Sequence, residues 1–228
     1  MRARQLTPNL IQLTRLRFVN AFLVREDDGL TLVDTTVARS ADALLAAAAE
    51  ARAPIRRIAL THGHGDHVGS LDELRGRLDG DVEVAMPELD ARIHAGEDVV
   101  DGKLPGSWPT VETRPDVLLE PGHRVGSLEV VAAPGHTPGH VAFLDTRDRT
   151  LIGGDVYTTI GGAAVSSHFT FPFPLAAMAT WDRELNLQSA RTLRTLGPQL
   201  LAVGHGPALR DPGNSTVRAI ERAHRALC

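Results

Sequence analysis

Thr61-His62-Gly63-His64-Gly65-Asp66-His67 decides the reading of this chain. Three imidazoles and one carboxylate fall within six residues, spaced by glycines. At neutral pH each of these side chains can ligate a borderline-soft metal ion. Glycine has no Cβ, so the backbone can bend sharply and turn its neighbours toward one point. Residues 55–60 just upstream read as a short buried strand. Residues 68–74 just downstream open a helical pattern that runs to about Leu78. The cluster therefore lies on a strand-to-helix loop, where sites are usually mounted. The competing reading is a chance histidine cluster on a solvated loop. At this composition such a match arises on the order of once in a thousand chains.

Outward from the loop, the N-terminal side reads as strands and one helix. Residues 9–16 and 18–24 have strand-like apolar content, Glu26-Asp27-Asp28-Gly29 is a hairpin turn signal, and residues 30–33 form the next strand. Asp34 closes that strand, either as a turn residue or as a carboxylate that orients a metal-bound histidine. Residues 40–52 are alanine-rich and helical, stopped by Pro54. Beyond the loop come a turn at Asp79-Gly80, a strand at 82–85 and a short helix at 87–94, with His94 expected on the surface. Strands and helices in this order predict an α/β layered domain. Residues 96–116, rich in glycine and proline and including Trp108, form a long irregular connection of the kind used for lids and binding loops.

From Val117 the chain becomes strand-rich again, at 117–119, 128–132, 141–144 and 150–152. His136 and His140 lie on the loop after one of these strands, and Asp155 follows another. Residues 157–174 are irregular and carry Phe169, Phe171 and Phe173, whose two-residue spacing would place them on one face of an extended segment. That face is read either as an apolar wall over a substrate pocket or as a plug at a core edge or dimer contact. A long helix is expected over 176–196, with Met178, Trp181, Leu185 and Leu196 on one face. A buried strand at 200–203 ends in Gly204-His205-Gly206-Pro207. Asn214 or Ser215 is expected to cap a last helix that turns Val217, Ile220 and Leu227 inward.

Composition narrows the classes. At 228 residues the chain can bury a full core, and it is read as a single domain of two similar halves, about 1–115 and 116–228. The net charge is −4 and no Lys/Arg run forms a nucleic-acid stripe. The single cysteine, Cys228, excludes a disulfide within the chain and argues against a thiolate-held metal. No run reaches membrane-spanning length, and residues 18–24 are broken by Asn20, so there is no signal-peptide core. A cytoplasmic protein acting on a small molecule is expected, without nucleic-acid or membrane partners; a homodimer stays open.

The chain thus offers seven candidate ligands on four loops, each following an expected strand: His62, His64, Asp66, His67, His136, Asp155 and His205. Two divalent ions need about that many ligands, with one bridging group and room for water. Nearly the whole chain resembles the metallo-β-lactamase-fold superfamily. The resemblance rests on Asp34, then His62-x-His64-x-Asp66-His67, then His136, Asp155 and His205, in that order. It implies a four-layer αβ/βα sandwich of two mixed β-sheets flanked by helices, with the site at one edge of the sheets. It implies that His62, His64 and His136 hold one ion, that Asp66, His67 and His205 hold the other, and that Asp155 bridges them. His140 stands outside that ligand set. Zinc is the expected metal, with iron and manganese as the other metals that suit the set.

With no cysteine ligand and a bridging aspartate, the set is more similar to glyoxalase II and lactonases than to many true β-lactamases of this fold. The 23 residues after His205 leave no room for a glyoxalase II-like helical substrate domain. The activity so implied is hydrolysis of an ester, thioester or lactone by a metal-bridging hydroxide, with Asp66 also helping to move a proton. Tyr157 is expected either to donate a hydrogen bond to the oxyanion or to be a packing tyrosine. The rival readings are a mononuclear iron persulfide dioxygenase, a nuclease of the same fold, and a non-catalytic metal-binding protein.

Overall fold

The computed structural model describes residues 1–78 and 82–228, so the turn expected at Asp79-Gly80 lies outside the described residues. The chain opens with β1 (Arg2–Gln5), β2 (Leu10–Arg15), β3 (Val19–Glu26) and β4 (Gly29–Val33). There follow α1 (Ala41–Glu50), β5 (Ile55–Ala59), α2 (Gly65–Val68), α3 (Leu71–Arg77), β6 (Glu83–Pro87), α4 (Glu88–His94) and β7 (Val117–Leu119). These seven strands form one sheet in chain order, antiparallel as far as β4 and parallel from β4 to β7. The switch follows from the connections. Short turns return the chain antiparallel, whereas α1 carries it back across the sheet so that β5 runs alongside β4.

The rest of the chain builds the second sheet from β8 (Arg124–Val125), β9 (Leu128–Ala132), β10 (Val141–Asp145) and β11 (Thr150–Ile152). Next come β12 (Tyr157–Thr158), β13 (Ala164–Val165), α5 (Leu175–Met178), α6 (Arg183–Thr195), β14 (Leu200–Ala202), β15 (Leu209–Arg210) and α7 (Gly213–Leu227). The sheet order is β15-β14-β11-β10-β9-β8, with β11 and β14 its parallel pair, while β12 and β13 pair separately.

Residue alternation along the strands sorts side chains into layers. Phe22, Val24 and Val33 of the first sheet meet Val130, Phe143 and Ile152 of the second in the central core. The opposite face of the first sheet, including Leu23 and Leu32, is covered by Leu44 of α1 and Leu71 and Leu74 of α3. The outer face of the second sheet packs Ala142 and Leu151 against Leu187, Ala190 and Leu193 of α6 and Ala219 and Ala223 of α7. Two mixed sheets face each other with helices outside, the four-layer sandwich expected. The central strands β3, β4, β10 and β11 are buried on both faces and so read as nearly continuous apolar runs, while the edge strand β1 is exposed. Among the described residues no helix is long and apolar enough to cross a membrane.

Two expected helices differ. Residues 176–196 are two helices, not one. Asp182 caps α6 by accepting a hydrogen bond from Leu185 N at 2.9 Å. The N–H groups of Trp181 and Asp182 leave the helical ladder and donate instead to the carbonyls of His136 (3.0 Å) and Gly135 (2.8 Å). The last helix starts at Gly213 behind Pro212 rather than at an Asn214 or Ser215 cap, and its fully buried residues are Thr216, Ala219 and Ala223. Small side chains face inward there, so the helix sits close to its neighbours, with Ile220 and Leu227 only partly buried beside them.

Candidate metal centre

The candidate ligands leave their strands at one edge of the sandwich. The loop after β5 delivers His62 and His64, the one-turn helix α2 that closes it delivers Asp66 and His67, and the loop after β9 delivers His136. The turn after β11 delivers Asp155, and the segment after β14 delivers His205. Loops beyond strand ends are where layered α/β folds place ligands. The structure brings all seven residues together in three groups, each with its ligand atoms within 4.8 Å of one another. The groups are His62, His64 and His136; His62, His67 and Asp155; and Asp66, His67 and His205. Asp155 reaches across them: Oδ1 is 3.4 Å from His67 Nε2, and Oδ2 is 3.5 Å from His136 Nε2 and 3.0 Å from His205 Nε2.

What each ring faces on its outer side decides which nitrogen points in. His67 Nδ1–H donates to Asp34 Oδ2 at 2.8 Å. Thr61 Oγ1 gives its proton to Asp34 Oδ2 (2.9 Å) and therefore accepts from His62 Nδ1–H at 3.0 Å. Thr180 Oγ1 donates to the Ser166 carbonyl (2.6 Å) and accepts from His136 Nδ1–H at 3.0 Å. His64 Nε2–H donates to the Pro105 carbonyl at 3.2 Å. Each of these four histidines thus turns its second ring nitrogen toward the cluster, the orientation a metal ligand requires. His62 Nε2, His67 Nε2 and Asp155 Oδ1 are buried with no hydrogen-bond partner. Buried polar atoms without partners are rare and costly, so the donor set fits a pair of divalent cations.

The electrostatics divide the cluster in two. Burial, with neighbouring imidazoles, holds His62 and His136 well below the ordinary histidine value and His64 down to about 4. This trio is neutral and ready to donate at pH 7. Burial also opposes charge on His67 and His205, but Asp155, Asp34 and Asp66 raise His67 to about 9, and Asp155 and Asp66 raise His205 to about 10. Against their own burial, Asp155 and Asp66 are in turn held well below the carboxylate range by those histidines. A cation entering the second group must displace protons from His67 and His205.

Asp34 is both things the sequence allowed. It ends β4 in the left-handed region, at φ 62°, and it is fully buried as the acceptor for Thr61 and His67. Gly204 has a physical reason to be glycine: a Cβ there would run into the Asp155 carboxylate and the His67 ring. Gly106, at φ +82°, lies against the His64 ring in the same way.

Other readings are corrected. Tyr157 is buried away from the cluster, its hydroxyl donating to the Ala190 carbonyl at 2.6 Å, and it packs in the core under α6 and α7. It is the packing tyrosine, since that hydrogen bond and those apolar neighbours leave it nothing to offer an oxyanion. The three phenylalanines share no face because residues 166–174 form no strand. Phe173 is buried against Phe18 and the His205 ring (centroids 5.6 and 4.9 Å), Phe169 lies under the Arg183 guanidinium at 4.7 Å, and Phe171 is 96% exposed. His94 is not a free surface histidine. Its Nε2–H donates to the Gly63 carbonyl at 2.8 Å, and its ring lies 5.4 Å from that of Trp108, which itself sits 5.1 Å from His64.

Sequence reading missed Asp90. Wholly buried on α4, it accepts from Gly63 N (2.8 Å) in one ligand loop and from Thr137 Oγ1 (2.6 Å) and Gly139 N (2.8 Å) in the other. Nothing in a short amphipathic helix marks that carboxylate as inward. His140, outside the three groups, accepts from Asp155 N at 2.9 Å and so helps set the turn that carries Asp155.

A family model described as the Metallo-beta-lactamase superfamily matches residues 14–205. The chain is 39% identical over 213 residues to the uncharacterized protein YobT of Bacillus subtilis, covering 91% of each. It is 26% identical over 217 residues to a hydroxyacylglutathione hydrolase of Methylobacterium nodulans, covering 88% of this chain and 74% of that one. Among solved structures, TTHA1623 in a di-iron-bound form matches with a TM-score of 0.66 at 29% identity, over 89% of this chain and 94% of that one.

Proposed function

The chain belongs to the metallo-beta-lactamase superfamily, and from that premise we propose that it is a dinuclear metal-dependent hydrolase of a small ester, thioester or lactone, with zinc as its metal. The observation that carries the reading is the position of Asp155, with one oxygen within 3.5 Å of both His136 and His205. A carboxylate so placed serves two ions at once. The di-iron-bound structure of a relative supports two ions, and the hydroxyacylglutathione hydrolase supports hydrolysis.

In this reading His62, His64 and His136 would hold one ion and Asp66, His67 and His205 the other, with Asp155 placed to serve both. Such ions supply Lewis acidity and a water acidic enough to lose a proton near neutral pH. The protein's own groups do the rest. Asp34, Thr61, Thr180 and the Pro105 carbonyl hold four imidazoles in the donating tautomer. Asp66 is the member that solvent reaches, its side chain 36% exposed while those of His67, His136, Asp155 and His205 are at most 5%. Its carboxylate, kept ionised against its burial by His67 and His205, is placed to accept a hydrogen bond from the water through which a proton would leave.

The test is elemental analysis of protein purified without added metal, beside a panel of esters, thioesters and lactones. Two zinc ions per chain with turnover, both lost in Asp155→Asn and His136→Ala while circular dichroism is kept, is the expected result. One iron per chain with oxygen consumption on a persulfide overturns it, and so do two bound ions without turnover on any substrate.

A further inference from the structure

The two sides of the cluster differ in cover, and the walls of the open side name what enters. Toward Phe18 and Phe173 the His205 ring is covered, with centroids at 6.1 and 4.9 Å. On the other side Asp66 opens into a groove of about 740 Å³, a size suited to a small-molecule ligand. Val37, Ala38, Pro109, Val111, Leu175 and Met178 give it an apolar wall. Leu175 and Met178 are 56% and 59% exposed, with nothing covering them in the folded chain. Among the described residues no lysine, arginine or histidine lines the groove, and its only charged residues are Asp66 and Asp72. Asp72 is already engaged, accepting from Glu112 N at 3.0 Å and Thr113 N at 2.8 Å, so it fixes the wall rather than receiving a ligand.

Resting on the hydrolase reading above, we propose that this groove receives an uncharged apolar acyl chain. The substrates are then neutral acyl esters or lactones, and glutathione thioesters are disfavoured. Two properties of the groove carry this. Each methylene it removes from water favours binding, and methionine and leucine at its rim adapt to chains of different length. Against that, the carboxylates of a glutathionyl group would lie along a wall that offers no lysine, arginine or histidine away from the ions held at Asp66 and that carries the ionisable Asp72, so they would give up solvation without gaining a partner there. The reaction balances with water alone: its oxygen joins the acyl carbon, the bond from that carbon to the alkoxy oxygen breaks, and one proton reaches the leaving alkoxide.

The experiment uses the metal-loaded chain. Kinetics on ethyl butyrate, ethyl octanoate and a hydroxyacylglutathione are compared for the wild type and for Met178→Asp. A fully buried methylene is worth roughly fourfold in kcat/KM. We expect octanoate to exceed butyrate by at least about tenfold, the glutathione thioester to fall below both, and Met178→Asp to collapse the octanoate-to-butyrate ratio of kcat/KM, whatever it does to the absolute rates. In parallel, octanamide, which is neutral and resists hydrolysis, is titrated against tryptophan fluorescence and should bind the wild type but not Met178→Asp. Ester turnover without chain-length dependence, or a preference for the glutathione thioester, overturns the groove assignment and leaves the hydrolase reading standing. Octanamide binding that Met178→Asp abolishes, with no turnover on any ester or lactone, does the reverse.

Discussion

Replacing Asp90 by alanine separates the stability of the fold from the assembly of the site. Asp90 touches neither the cluster's ligand atoms nor the groove, yet its carboxylate ties the loop of His62 and His64 to the loop of His136. Truncation leaves the N–H groups of Gly63 and Gly139 without an acceptor, at about 1–3 kcal/mol each, while the Thr137 hydroxyl can turn elsewhere. The opposite effect is also large. Burial outweighs the three donated hydrogen bonds and raises the Asp90 carboxyl from 3.8 to about 6, so at pH 7 the ionised group is held at a cost of about 3 kcal/mol. The two effects nearly cancel. The metal-free variant should unfold in urea within about 3 kcal/mol of the wild type. Metal affinity has no such compensation, because both loops lose their common anchor, and loss of groups that orient metal ligands typically costs about 10–100-fold. Competition with a chromophoric chelator measures the affinity, and elemental analysis gives the stoichiometry. Asp90→Asn should fall between wild type and alanine, since its one oxygen can keep the Gly63 N–H and the Thr137 hydroxyl while its NH₂ group meets the Gly139 N–H. An Asp90→Ala protein that binds both ions with wild-type affinity would refute the reasoning.

Further outcomes follow from the same geometry. In the metal-free protein His67 and His205 have folded values of about 9 and about 10 against 6.5, so the stability they confer is complete below 6.5 and disappears as pH rises through 9 to 10; a urea midpoint that stays flat from pH 7 to 10 contradicts this. Gly102→Ala and Gly106→Ala both place a side chain at positive φ, at about 1–2 kcal/mol of strain, but only the second meets the His64 ring. Metal content should therefore fall in Gly106→Ala alone, and equal loss in both would show that strain, not contact, matters. Tyr157→Phe should lower stability by about 1 kcal/mol through the lost bond to Ala190 and leave kcat unchanged; a tenfold fall in kcat would return Tyr157 to the chemistry.

Much of the centre was readable because its donors cluster in sequence. Four of the seven sit within residues 62–67, and the others follow apolar runs that could only be buried strands. Alternating faces of those runs carried the two layers of core as well. What escaped depends on contacts between distant segments. The break at residues 179–182 looks like unbroken helix until the carbonyls of Gly135 and His136 are there to accept the freed N–H groups. Asp90 resembles any acidic residue in the first turn of a helix, where the dipole alone would justify it. His94 and Trp108 have no local pattern that tells of Gly63 and His64. The phenylalanine spacing misled because a period of two implies a shared face only in a strand.

The ligands hang from the ends of hydrogen-bonded strands, whereas Val37, Ala38, Pro109, Val111, Leu175 and Met178 come from segments outside both sheets. Drift in those segments leaves strand register, and with it the cation cage, untouched. Sequence change confined to those six positions would alter the groove and leave the cluster in place, so a six-position library separates the two.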